Sequence, residues 1–98
     1  MSNLNVLVME DRRLEILRWL MRSLSYRAGA PMLQLALEER AHGVSLDTVT
    51  ADLAWLSDAA LLTYREVGGV HIATLTTRGL DVAKGLTVVP GVARPRPE

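Results

Sequence analysis

The stretch from Val44 to Ala83, VSLDTVTADLAWLSDAALLTYREVGGVHIATLTTRGLDVA, admits few folds. Counting from Leu46, residues Val49, Leu53, Leu56 and Ala60 recur at helical spacing, so 45–58 is expected to be a helix that buries one stripe. Ser45 stands ahead of the stripe as an N-cap, and Asp47 in the first turn suits the helix dipole. Past Asp58 the period shortens. Leu61 to Val67 is rich in strand formers, Gly68-Gly69 supplies a tight turn, and Val70 to Leu75 alternates again. Thr76 or Thr77 then caps a last helix running to about Gly85, with Leu80 and Ala83 turned inward.

Upstream, Leu14, Leu17, Leu20, Met21 and Leu24 share a helical face with Ile16 at its edge, and Trp19 falls on the opposite side. Ser25 to Ala30 reads as a connector. Pro31 suits the first position of a short second helix that ends at His42-Gly43, where Gly43 fits a left-handed C′ position. A single residue separates Gly43 from the Ser45 cap, so the second and third helices must cross steeply. Helix, tight turn, helix, hairpin, helix is the layout of a winged helix-turn-helix: mainly α, with a three-helix core, a two-stranded wing and a C-terminal helix. Residues 1–85 form that domain. Residues 86–98 carry three prolines and are expected to run extended, with Val88, Val89 and Val92 pinning the start and ARPRPE hanging free.

Charge bears on the partner. Eleven basic and eleven acidic residues give a net charge of zero, unevenly spread. Residues 1–30 carry five arginines against Glu10, Asp11 and Glu15, a net of +2. Residues 31–58 set Arg40 against Glu38, Glu39, Asp47, Asp52 and Asp58, a net of −4. The helix that would read DNA lies in the acidic third and carries no Arg or Lys, and this weighs against base reading next to phosphates. The arginines of the first helix are expected to be solvated and paired with its acids. The chain has no cysteine, which excludes disulfides and thiolate metal sites and fits a cytoplasmic protein. Two distant histidines do not suggest a metal site, no uncharged run approaches the roughly 20 residues of a membrane span, and the N-terminus lacks the basic region of a secretion signal. No phosphate loop, nucleophile elbow or His-carboxylate spacing is present, so neither enzyme activity nor a cofactor is expected.

The runs DRRLEILRWL, HGVSLDTVTADLAWLSDAALLTYREVGGVHIATLTTRGLDVAKG and VVPGVARP resemble a small protein family of Mu-like phages and prophages, most specifically at HGVS, DLAWL, GGV, LTxRGLDVA and VPGVxRP. The resemblance implies a winged-helix fold like that of ArsR-type repressors and a phage setting. Carried over by position, it points to Ser45, Asp47, Thr48, Ala51 and Asp52 on the third helix and Arg65 and His71 flanking the wing as contacts to double-stranded DNA. Trp19 and Trp55 lie off their helices' core stripes, which marks them as candidates for a homodimer or partner interface; the alternative for Trp55 is cover by the last helix or the VVPGV tail. Two functions follow: a homodimeric phage or prophage transcriptional regulator, and a winged-helix module that docks on a phage or host protein without binding DNA itself.

Overall fold

The computed structural model describes residues 3–97. In chain order they form α1 (Asn3–Arg22), β1 (Arg27–Gly29), α2 (Ala30–Glu39), α3 (Leu46–Asp58), β2 (Leu62–Val67), β3 (Val70–Leu75) and α4 (Thr77–Ala83). Four helices thus pack with a three-stranded antiparallel sheet of order β1-β3-β2, giving a small α+β domain.

The third strand corrects the expected two-stranded wing. Arg27, Ala28 and Gly29 pair with Thr74, Ala73 and Ile72, where the sequence reads only as a connector. Three residues are too few for alternation to register. Ser25 and Tyr26, both at φ 58, swing the chain from α1 into this strand. The hairpin follows the sequence: Leu62 to Val67 pair with Leu75 to Val70 around Gly68 and Gly69, whose φ values of 58 and 82 are those of a type I′ turn.

Helix ends are set by local hydrogen bonds. The Ser45 hydroxyl accepts from the Thr48 amide at 3.1 Å and the Thr76 hydroxyl from the Gly79 amide at 3.0 Å, so both predicted caps form. The end of α2 differs from expectation. Its left-handed residue is Ala41 (φ 64), not Gly43: the His42 amide reaches back to the Leu37 carbonyl at 2.8 Å and the Ala41 amide to that of Glu38 at 3.2 Å. This is a Schellman motif closed two residues earlier than the glycine suggests. Helix α3 ends in the same way, with Ala60 at φ 64 and the Leu61 amide bonded to the Leu56 carbonyl at 3.0 Å.

The core is built from Leu14, Ile16, Leu17 and Leu20 of α1, Leu33 and Leu37 of α2, Val49, Leu53 and Leu56 of α3, and Leu61, Leu62 and Ala73 from the sheet region. Leu24, expected on the α1 stripe, lies beyond the helix and is 91% exposed. Leu46 and Ala60, expected on the inner stripe of α3, are also exposed. The segment after α4 is bound further along than its prolines suggest. Val89 and Val92 are buried while Val88 is exposed, the Ala93 amide donates to the Glu10 carbonyl at 3.1 Å, Pro95 rests against Gly85, and Arg96 stands 3.8 Å from Asp11. The chain from Val89 to Arg96 therefore lies along the body rather than hanging free; Glu98 falls outside the described residues.

Helix α4 approaches the start of the hairpin closely. A Cβ on Gly79 would stand 1.9 Å from the Leu61 carbonyl oxygen and 2.7 Å from a Leu75 methyl, whereas one on Gly43 would meet nothing within 4 Å. Gly79→Ala must therefore push α4 off Leu61, at a cost of about 1–3 kcal/mol by the usual penalty for overpacking. Denaturant unfolding of Gly79→Ala and of a Gly43→Ala control checks this, and the control should stay within about 0.5 kcal/mol of wild type.

Candidate nucleic-acid interface on the third helix

The sector of α3 that faces the protein is Val49, Asp52, Leu53 and Leu56. These positions follow the i, i+3, i+4, i+7 rule, so the buried arc is turned away from Leu46 and takes in a carboxylate. Asp52 does not lie on an outward reading face. It is 3% exposed, accepting from Arg12 Nε at 2.5 Å and Arg12 Nη2 at 3.1 Å, with Arg13 Nε 3.6 Å away. A bidentate guanidinium and a second arginine make this carboxylate a fixed link from α3 to α1. Arg12, read from the sequence as solvated, has only 13% of its side chain exposed, and Arg13 as a residue is 8% exposed.

Trp55, one turn on, belongs to the same contact. The Arg13 guanidinium lies 3.9 Å from its ring centre, and Arg13 Nη1 donates to the Gly91 carbonyl at 3.0 Å. Gly91, at φ 99, passes so close under the ring that a Cβ would stand 2.4 Å from it. The chain's own tail covers this face of Trp55, which takes the residue out of the outward partner surface considered from the sequence. Trp19 is placed differently. It is half-buried on α1 and lines a concavity of about 410 Å³ together with Arg22, Leu24, Arg27, Ala28 and Met32.

Ser45, Asp47 and Ala51 remain exposed at the start of α3, and Thr48 is half-exposed with its hydroxyl 3.0 Å from that of Ser45. The outward face thus offers short hydroxyls, a methyl and the Asp47 carboxylate, with Asp58 exposed at the far end and no cation. Arg65 and His71 do not converge. Arg65 pairs with Ile72 and His71 with Glu66, so they occupy adjacent register positions and project to opposite faces of the hairpin. His71 packs on Tyr64, ring centres 5.4 Å apart, and its buried Nδ1 has no hydrogen-bond partner among the described residues. Arg65 instead borders, with Arg27 from β1, a concavity of about 360 Å³ over Thr63, Ile72 and Thr74. Arg27 is the residue that sequence reasoning missed, because its strand was not visible.

Among the described residues no group of three potential ligands is placed to hold a metal ion, and no helix is long and apolar enough to cross a membrane. The structure thus defines a small α+β protein with an exposed polar start to α3. No family model and no solved structure matches the chain. It is 44% identical over 94 residues to the uncharacterized protein gp26 of Escherichia phage Mu, an alignment that takes in 96% of this chain and 97% of that protein. The chain belongs to the family of this Mu phage protein.

The contact between Trp55 and the tail is directly testable. Gly91→Ala combines a disfavoured left-handed backbone with a methyl inside the Trp55 ring contact, so the tail must lift. In a Trp19→Phe background, where Trp55 is the sole tryptophan, emission should move to longer wavelength; an unchanged spectrum would place the tail elsewhere.

Proposed function

We propose that this phage protein is a winged-helix regulator of transcription that binds double-stranded DNA as a homodimer in the host cytoplasm. The observation that carries the reading is the order α1-β1-α2-α3-β2-β3 closed by a β1-β3-β2 sheet, with the capped start of α3 exposed. In such an arrangement the third helix enters the major groove and the hairpin flank meets backbone. The burial of Asp52 by Arg12 and Arg13 supports it further, since one of the three carboxylates counted against phosphate contact is neutralised inside the protein. The contacts assigned to DNA are then Ser45, Asp47, Thr48 and Ala51 on α3 and Arg65 on the hairpin.

A second reading, a module that docks on a phage or host protein without touching DNA, is favoured by one observation. The exposed face of α3 has no Arg or Lys and keeps Asp47 and Asp58. Fluorescence anisotropy of labelled duplexes from the phage's own regulatory regions, at low and at physiological salt, separates the two. The DNA reading predicts binding that survives competitor DNA and weakens steeply with salt, on a two-fold site with half-sites roughly 34–36 Å apart. Arg65→Ala should weaken binding to all sequences alike and flatten the salt dependence, while Thr48→Ala should lower discrimination between sequences. Absence of binding even at low salt leaves the docking module.

A further inference from the structure

The outward side of α2 is an exposed surface that is partly apolar, and it is polarised. Met32 and Leu35, one turn apart, are 51% and 58% exposed, and Glu38 and Glu39 continue the same stripe into the last turn. At the opposite end α2 begins beside the concavity of about 410 Å³ whose floor includes Trp19, Ala28 and Met32 and whose cations are Arg22 and Arg27. Among the described residues Arg22, Arg27, Glu38 and Glu39 form no ion pair, while Arg40, the cation nearest the acidic end in sequence, stands 4.0 Å from Glu15.

These charges are also arranged against the helix itself. The last turn of α2 holds acidic residues and no basic one, and cations flank its start, the reverse of what a helix dipole favours. Arg22 suits the dipole of α1, whose last turn it occupies, but the acidic last turn of α2 gains nothing from its own helix. It becomes favourable when a second, antiparallel α2 brings its own start to this end.

We propose that a second copy of this chain packs on α2, antiparallel and about a two-fold axis at Leu35. Leu35 then meets Leu35 of the second copy, and Met32 meets Glu38 of the second copy. Glu38 and Glu39 of each copy reach the Arg22 and Arg27 concavity of the other. An isologous contact makes every such pairing twice, so both acidic ends and both basic concavities are satisfied together. Arginine, methionine and a half-buried tryptophan are residue types enriched in interfaces, and Leu24, now 91% exposed, borders the same concavity. A net charge of zero leaves no overall repulsion between copies. The proposal rests on the homodimer in the reading above and specifies where its subunits meet; a dimer that survives the charge reversals overturns this interface alone, whereas a monomer removes the homodimer as well.

Two charge reversals test it: Arg22→Glu with Arg27→Glu, and Glu38→Arg with Glu39→Arg. Sedimentation velocity over a concentration series should show a reversible dimer for the wild type. Each double variant should dissociate at least about tenfold more readily, because like charges then face each other at both ends. An equimolar mixture of the two variants should recover the dimer, since in the mixed pair every reversed charge meets its complement. Circular dichroism of each variant guards against unfolding, and the recovery in the mixture cannot come from misfolded chains. A monomeric wild type, variants that dimerise as well as the wild type, or a mixture that stays monomeric would each overturn the proposal.

Discussion

The contact on which the arrangement depends is the pairing of Asp52 with Arg12 and Arg13. One carboxylate on α3, 3% exposed, holds two guanidinium groups on α1, and the second of these reaches both the Trp55 ring and the Gly91 carbonyl. Burying three charges is costly, and the site meets that cost with bidentate geometry, a cation over an aromatic face and a carbonyl acceptor, leaving Arg13 Nε as its orphaned donor. A single cluster thereby fixes the rotation of α3 about its axis and the path of the tail. Remove the carboxylate, and two arginines are left without their counter-charge in a place water scarcely reaches.

That same cluster explains where the sequence was legible and where it was not. The caps at Ser45 and Thr76, the Gly68-Gly69 turn and the hairpin register rest on local chemistry, so residue type alone identifies them. Strand β1 is three residues long and owes its existence to pairing with β3, far away in sequence. Asp52 looked like a surface residue because single acids on helices usually are; its partners lie forty residues upstream, and a spacing pattern carries no long-range information. The Ala93 amide meets the carbonyl of Glu10 from the other end of the chain, which is why ARPRPE read as free. The end of α2 misled for a different reason: an alanine accepts the left-handed conformation that a glycine nearby would have taken at less cost.

For the candidate site, the consequence is a redistribution rather than a loss. Ser45, Asp47 and Ala51 are exposed where the sequence put them, while Asp52 and Trp55 turn inward and Arg65 and His71 part to opposite faces of the hairpin. Arg27 joins Arg65 instead, on the outer face of the sheet. The acidic middle of the chain thus resolves into a neutralised carboxylate at Asp52, two exposed ones on α3 and an acidic end on α2, while Arg22, Arg27 and Arg65 stand at the start of α2 and on the sheet. Membership of the Mu phage family gives this chain its setting; the partner must be read from these surfaces.

The most direct test of the account is a double-mutant cycle between Arg12 and Asp52, using Arg12→Met, Asp52→Leu and the two together, with unfolding free energies measured in denaturant. Arg12→Met leaves Asp52 with only the more distant Arg13 and Asp52→Leu strands two guanidinium groups, so each should cost about 3–5 kcal/mol; the double variant strands Arg13 alone and should lose less than the sum, giving a coupling of at least about 2 kcal/mol. Changes that add to within about 0.5 kcal/mol would mean that the two side chains act independently. That result would contradict a structure in which Asp52 anchors α3 to α1.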